Sequence, residues 1–404
     1  MNDANSATRP ADGSEVGLDE ILALEQRSHR VIEDLRDTVF APDGHKTLDR
    51  RFPISEASTM VGRAPQTIRD AERAGKLAPP EKDAHGRRIG YSLEQINTAR
   101  AHFGTLPYRN PETDEPVICA VQNFKGGVGK STIAVHLAQY LGLRGYRVLV
   151  VDCDPQASTT SLFGLNPDYD LDEDSTLRPF MRGEMSSLSY ALRDSYFPQL
   201  KLLPSNLSNF DLEYELAARL PENPNLLDRL RVGLSTVTDQ FDVVVIDPPP
   251  ALGLISLSVT RAANALIVPT RPATIDFGST AHFFTMLCET LQILSRHGYT
   301  PSYKFVRMLA NDVDESKSAH GAITEMMKRT YGHLMLNTVM KDSAEIDNAG
   351  GSLMTVYELS GPRTSRATHN RCKAYLDAVN REIEIEIQRT WPSCRQLLSQ
   401  EGLL

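Results

Sequence analysis

The 404-residue chain has few cysteines and no C-x-x-C pair; Cys119, Cys153, Cys288, Cys372 and Cys394 are widely scattered. This excludes a disulfide scaffold and a zinc ribbon, and leaves reduced thiols in a cytosolic protein as the expectation. No apolar run reaches the length of a membrane span. The opening MNDANSATRP lacks the basic-then-apolar layout of a signal peptide. There is no internal repeat and no low-complexity block. An excess of positive charge is also missing: the formal net charge is -9, which argues against a chain that coats nucleic acid over its whole surface. A local basic face stays open.

What is present divides into segments. Residues 1–17 are small and polar, the pattern of disorder. From Leu18 onward, Leu18, Ile21, Leu22, Leu24, Val31, Ile32, Leu35 and Val39 recur at helical spacing, which predicts an amphipathic helix over about 18–40. Its stripe must be buried by self-association or by packing on its own chain. Residues 41–51 break the helix, closing an N-terminal arm of 1–51. A compact unit follows over 52–104. The segment TLPYRNPETDEP (105–116), with three prolines, reads as a linker. Over 117–404, short runs rich in Val and Ile alternate with helical patterns. VICAVQN, RVLVVD, FDVVVID, ALIVP and KFVRMLA suit strands covered on both faces. They predict an α/β domain with a parallel sheet and helices on both sides.

The first of these runs leads into NFKGGVGKST (123–132) and then a helical pattern ending near Gly145. Strand, glycine loop and helix form the context of a phosphate-binding loop, although the usual first glycine is Phe124 here. Gly126, Gly127, Val128 and Gly129 would turn backbone N–H groups toward phosphate oxygens, aided by the helix N-terminus. Lys130 would place a charge near the β- and γ-phosphates, and Ser131 would offer its hydroxyl to Mg²⁺. Asp247, ending the FDVVVID run, is the carboxylate expected to support the metal. The following ProProPro-Ala-Leu-Gly reads as a switch segment. In VLVVDCDPQAST, alternation puts Asp152 and Asp154 on one side if the strand persists. Asp154 is the candidate for orienting an attacking water, with Asp152 in the metal's outer shell. The other reading is two solvated strand-end carboxylates. The ASTTS stretch is expected to form a mobile loop.

Together KGGVGKST, VDCDPQ and VVIDPPP resemble the deviant Walker A ATPases, specifically the ParA family of DNA partition ATPases, over about residues 117–380. The resemblance implies an ATP/ADP-binding, Mg²⁺-dependent ATPase in which Lys125 crosses a nucleotide-sandwiched homodimer to the other subunit's phosphates. Facing lysines repel in an empty loop, and a polyanion between two copies offsets that repulsion. The family places Thr132 at the α-phosphate. It puts Asn311 and the segment 268–279 near the base.

Before the linker, FPISEASTMVGRAPQTIRDAERAGKLAPP (52–80) reads as two short helices joined by a glycine turn, with Ser55 as first cap, Pro65 opening the second helix and Gly75 closing it. Gln66, Thr67, Arg69 and Arg73, with Lys76, would meet bases and phosphates. Gly86 makes a hairpin tip carrying Arg87, Arg88 and Tyr91. This resembles the winged helix-turn-helix of MerR-type regulators; a small protein-binding helical domain is the other reading. With the ATPase it points to plasmid partition proteins of the RepA type. Such proteins work with a ParB-like partner, bind operator DNA through the reader and nonspecific DNA in the ATP state, and are cytoplasmic and nucleoid-associated. The basic residues Arg363, Arg366, Arg371, Lys373 and Arg381 form either a DNA-binding end or a charged surface helix. Acids within that helix disfavour the membrane-docking tail of septum-positioning relatives. A purely nucleotide-sensing repressor and a septum-positioning ATPase are the competing functions. An electron-transfer ATPase would need a bridging cysteine pair.

Overall fold

A computed structural model describes residues 16–40, 46–296 and 302–404. The expected polar stretch up to residue 15 and the helix break at 41–45 lie outside the described residues. The chain divides into two units, Met1–Lys46 and Thr47–Leu404. The first holds α1 (Leu18–Phe40), a 23-residue helix over the span its periodicity predicts. Its Leu18, Ile21, Leu22, Leu24, Val31 and Ile32 are exposed.

The second unit begins with three helices: α2 (Ile54–Val61), α3 (Pro65–Arg73) and α4 (Leu93–Phe103). Gly62 adopts a left-handed φ of 69° and ends α2, and Pro65 opens α3 at its first position. The expected cap at Ser55 is not made. Pro53 is the N-cap, and the Ser55 carbonyl inside the helix accepts the hydroxyls of Ser58 and Thr59. Gly86 turns a short hairpin in which Lys82 bridges Arg88. Ser92 opens α4 with a reciprocal capping box to Gln95.

Seven strands form the sheet: β1 (Val117–Val121), β2 (Val148–Asp152), β3 (Arg193–Asp194), β4 (Leu200–Leu203), β5 (Val243–Asp247), β6 (Ala265–Thr270) and β7 (Phe305–Ala310). Their order is β3-β4-β2-β5-β1-β6-β7. Every neighbouring pair is parallel except β3–β4. Five strands coincide with the predicted apolar runs. The pleat explains why those runs are unbroken. In β1, Val117, Cys119 and Val121 enter one core and Ala120 the other; in β2, Val148 and Val150 part likewise from Leu149 and Val151. The first core lies under α5 (Lys130–Arg144) and the helix Arg366–Arg389; the second lies under the helices Leu254–Ala262 and Thr274–Arg296.

The segment 105–116 is not a free tether. Arg109 is buried and donates from Nε to the Phe241 carbonyl at 3.0 Å. Asp114, also buried, accepts the Ser393 N–H at 3.1 Å. The three-helix unit is likewise packed on the sheet domain. Buried Arg100 of α4 donates to the Met60 carbonyl at 3.0 Å and to the Leu143 carbonyl, at the end of α5, at 2.7 Å.

Candidate functional site

The site lies at the carboxyl ends of the parallel strands, where the order reverses on either side of β1. β1 delivers Gln122 and Asn123 into the interior. The Asn123 side chain donates to the Pro269 carbonyl (2.9 Å) and the Thr280 hydroxyl (3.1 Å), and its oxygen accepts the Lys125 N–H (3.1 Å). The loop is thereby pinned at its start. Phe124 occupies the position of the usual glycine because its ring packs edge-on against Phe283, 4.7 Å between centroids.

Gly127 and Gly129 take left-handed φ values of 74° and 84°. At Gly129 a Cβ would lie 2.5 Å from the Asn311 amide nitrogen, which itself donates to the Val128 carbonyl at 2.8 Å. Only a glycine fits there. Lys130 is buried at the head of α5 and donates to the Lys125 carbonyl at 3.0 Å. Burial lowers its pKa, while Asp247 and Asp154 pull it upward. The Lys125 ammonium turns away from Lys130 and pairs with Asp276 on the first turn of the helix Thr274–Arg296. Gly126, Ser131 and Thr132 complete the loop. A cleft of 280 Å³ beside it is lined by Gly127, Gly129, Thr132, Asn311, Arg271 and Ile346 among others.

Asp152 and Asp247 stand side by side because β2 and β5 pair in register at these residues. Both are fully buried. Asp152 accepts the Thr160 N–H and hydroxyl (2.8 and 2.7 Å), and its other oxygen takes the Asp154 N–H (3.1 Å). Asp247 Oδ2 accepts the Thr159 hydroxyl at 2.8 Å, while Oδ1 is buried without a hydrogen-bond partner. Burial raises both pKa values, that of Asp247 to about 6; the neighbouring Asp247 charge adds to the rise at Asp152, and the hydroxyls of Ser131 and Thr159 oppose it at Asp247. Asp154 is half-buried, its pKa raised by burial and drawn down by Lys130.

Two expectations are corrected here. The strand does not persist past Asp152, so a turn rather than alternation brings Asp152 and Asp154 together. The ASTTS stretch is not a mobile loop. Ser158–Leu162 is a short helix whose buried Thr159 and Thr160 fasten the two aspartates.

Of the candidate nucleic-acid contacts, α3 turns Ile68 and Ala71 into the core and exposes Gln66, Thr67, Arg69 and Arg73. Asp70 sits among them, taking the Gln66 amide at 2.8 Å and the Arg73 guanidinium. The hairpin side chains are partly engaged within the chain: Arg87 pairs with Asp83 at 3.0 Å, and Arg88 pairs with Glu72 of α3. Tyr91 departs from its expected place on the wing surface. It is buried and gives its hydroxyl to Glu72 at 2.6 Å. In the tail, Lys373 pairs with Glu56 at 3.6 Å, and Arg381 pairs with Glu384 and Glu401 at 2.9 and 3.2 Å.

Asn123, Thr159, Thr160 and Asp276 went unread in the sequence. A buried amide directly ahead of the glycine loop is a local signal for Asn123. The others owe their places to the sheet order.

A parallel sheet switching at β1, a glycine cradle opening a helix, and paired aspartates at the ends of β2 and β5 define a P-loop nucleoside-triphosphatase fold with a lysine at each end of its loop. Residues 117–293 match a family model described as an AAA domain. Protein SopA of Escherichia coli K12 is 37% identical over 328 residues, covering 79% of this chain and 83% of that protein. A relative in Rhizobium rhizogenes that carries the name replication protein A is 32% identical over 367 residues, covering 87% of this chain and 90% of its own length. A solved structure titled Partition Protein covers 91% of this chain and 98% of its own, with a TM-score of 0.66 at 18% identity, a likeness of fold. The chain belongs to the ParA family of partition ATPases. Among the described residues, no helix is long and apolar enough to cross a membrane.

Proposed function

We propose that this plasmid partition ATPase binds ATP with Mg²⁺ on the 125–132 loop as a sandwiched homodimer. In that state it holds nonspecific DNA, and a ParB-like partner stimulates hydrolysis and release. The observation that carries the reading is the buried, unpartnered Oδ1 of Asp247, beside the Lys130 loop and the Ser131 hydroxyl. A buried carboxylate oxygen without a partner is costly, and a cation offsets that cost. The residues fit the group: Ser131 and Asp247 would hold Mg²⁺, which when bound neutralises phosphate charge. Lys130 leaves the Lys125 carbonyl for phosphate. Asp154, poised beside Lys130 with a raised pKa, orients the attacking water and accepts its proton. Lys125 leaves Asp276 to reach the partner copy's nucleotide. Asn311 and the cleft beside Gly129 take the nucleoside end.

The three-helix unit serves as a winged helix-turn-helix that binds the operator and represses the operon. Its α3 offers Gln66, Thr67, Arg69 and Arg73 to base edges and phosphates, and Arg87 and Arg88 border the backbone. This reading is supported by the exposed polar face of α3 and by the buried packing of its other face.

Sedimentation with a non-cleavable ATP analogue, beside a turnover assay, tests the first part. Lys130→Ala is expected to lose nucleotide binding, and Asp154→Ala to bind ATP without turnover. Wild-type nucleotide affinity in Lys130→Ala would sink the reading. Footprinting of the upstream region of its own operon with Arg69→Ala tests the second.

A further inference from the structure

Ser205, just past the end of β4, ties together two aspartates that stand past the end of β2. β4 lies parallel to β2 with Leu203 opposite Val151, so the chain leaving one strand runs beside the turn leaving the other. Ser205 is fully buried there. Its N–H donates to the Thr160 hydroxyl at 2.9 Å, and that hydroxyl donates to Asp152 at 2.7 Å. Its own hydroxyl donates to the Asp154 carbonyl at 2.7 Å. Behind it, the buried Asn209 amide donates to the Ser205 oxygen at 2.8 Å, which leaves the hydroxyl proton for Asp154. The Oδ1 of that amide is buried without a hydrogen-bond partner, so the donation to Ser205 has to offset an unmet acceptor.

The turn that Ser205 holds goes against local backbone preference. Asp154 donates its N–H to Asp152 at 3.1 Å, and its carbonyl also accepts the Ala157 N–H at 2.9 Å. Ala157 closes the turn at a left-handed φ of 53°, which a residue with a Cβ adopts only at a cost. Such a conformation persists where the surrounding structure over-determines it. Ser205 supplies that hold from 51 residues further along the chain. Asp154 Oδ1 takes the Gln156 N–H at 2.9 Å inside the same turn, so the direction of the carboxylate follows the turn.

We propose that Ser205, oriented by Asn209, is a positioning residue for hydrolysis: it fixes the turn that aims the Asp154 carboxylate at the attacking water. The proposal rests on the role proposed for Asp154. Ser205 is sealed from solvent and acts only through its neighbours. Without its hydroxyl the strained turn relaxes, and the carboxylate leaves its place beside Lys130. The glycine loop and Ser131 keep their places, so turnover falls while nucleotide affinity does not. Ser205→Ala separates the two bonds of this residue. It keeps the N–H on Thr160, so Asp152 stays fastened and only the hold on Asp154 is lost.

Full-length variants would be compared with wild type in ATP turnover, in binding of a fluorescent non-cleavable analogue, and in melting temperature. Ser205→Ala is expected to lower kcat about tenfold or more, with KM and analogue affinity within about twofold of wild type. Ser205→Thr, which returns the hydroxyl, should recover kcat to within about threefold. Asn209→Ala leaves the hydroxyl in place but undirected, and should lower kcat about threefold at unchanged affinity. Wild-type kcat in Ser205→Ala would overturn the proposal. So would a loss of analogue affinity equal to the loss of kcat, the mark of a merely structural serine. A Ser205→Thr variant that melts as wild type does yet turns over like Ser205→Ala would also overturn it. If a Ser205 variant does not fold, Asn209→Ala decides: wild-type kcat there overturns the proposal. Asp154→Ala is run alongside. Wild-type turnover in Asp154→Ala would sink the hydrolytic reading itself, whereas loss there beside wild-type turnover in Ser205→Ala would sink only the positioning role.

Discussion

Lys125 and Asp276 form an ion pair that draws the first lysine of the phosphate loop onto the helix Thr274–Arg296 and away from Lys130. Two ammonium groups on one short loop repel, and this carboxylate relieves the repulsion. On the proposed cycle the pair must break for Lys125 to cross to a partner copy. Asp276→Ala should therefore favour the analogue-dependent dimer by about two- to fivefold, the range expected of a partly exposed pair. Sedimentation equilibrium across analogue concentrations measures it, and a dimer fraction below wild type would contradict it.

Gly129 has no room for a side chain. Its φ of 84° is left-handed, and a Cβ would press on the Asn311 amide. Gly129→Ala is expected to cost roughly 1–2 kcal/mol of stability from the backbone alone. It should also weaken nucleotide binding, because Asn311 must move. Urea melts and a fluorescent-nucleotide titration read the two effects separately.

His136 sits in α5, one turn past the loop, and is neutral by geometry. Its Nδ1–H donates to the Thr132 carbonyl at 2.7 Å, and its Nε2 accepts the Val356 N–H at 3.3 Å. A proton on Nε2 would face another N–H. Burial lowers its pKa from 6.5 to about 4. Between those values the unfolded chain binds a proton that the folded chain refuses, so stability falls as pH drops from 6.5 toward 4 and levels off below. The full contribution is about 3 kcal/mol. Denaturant melts at stepped pH should show this slope, and His136→Asn should flatten it.

Arg100 joins the three-helix unit to the end of α5 through the carbonyls of Met60 and Leu143 and the Asn97 side chain. Arg100→Met fills similar volume but strands these acceptors, at an expected cost of about 3 kcal/mol. Chemical denaturation tests the loss. A two-step melt would further show that the unit had come loose from the ATPase domain.

The strands β1, β2, β5, β6 and β7 were legible as apolar runs because a strand buried on both faces needs no alternation. The β3–β4 hairpin was not, since two-residue Arg193–Asp194 and four-residue Leu200–Leu203 are too short for a periodic signal. Nor did the sequence show that the linker 105–116 is packed: prolines mark irregular backbone, and irregular backbone can still be buried, as Arg109 is.

By itself the sequence determined the loop 123–132, its flanking strand and helix, and the aspartates that end two strands, because each is local chemistry carried on contiguous residues. Tertiary structure alone decided that β2 lies against β5, which sets Asp152 beside Asp247, and that Asp276 meets Lys125 and Glu213 caps the 254–255 backbone. Those pairs are far apart along the chain. Their meeting depends on strand order and helix placement, which come from packing whole faces together rather than from any local pattern.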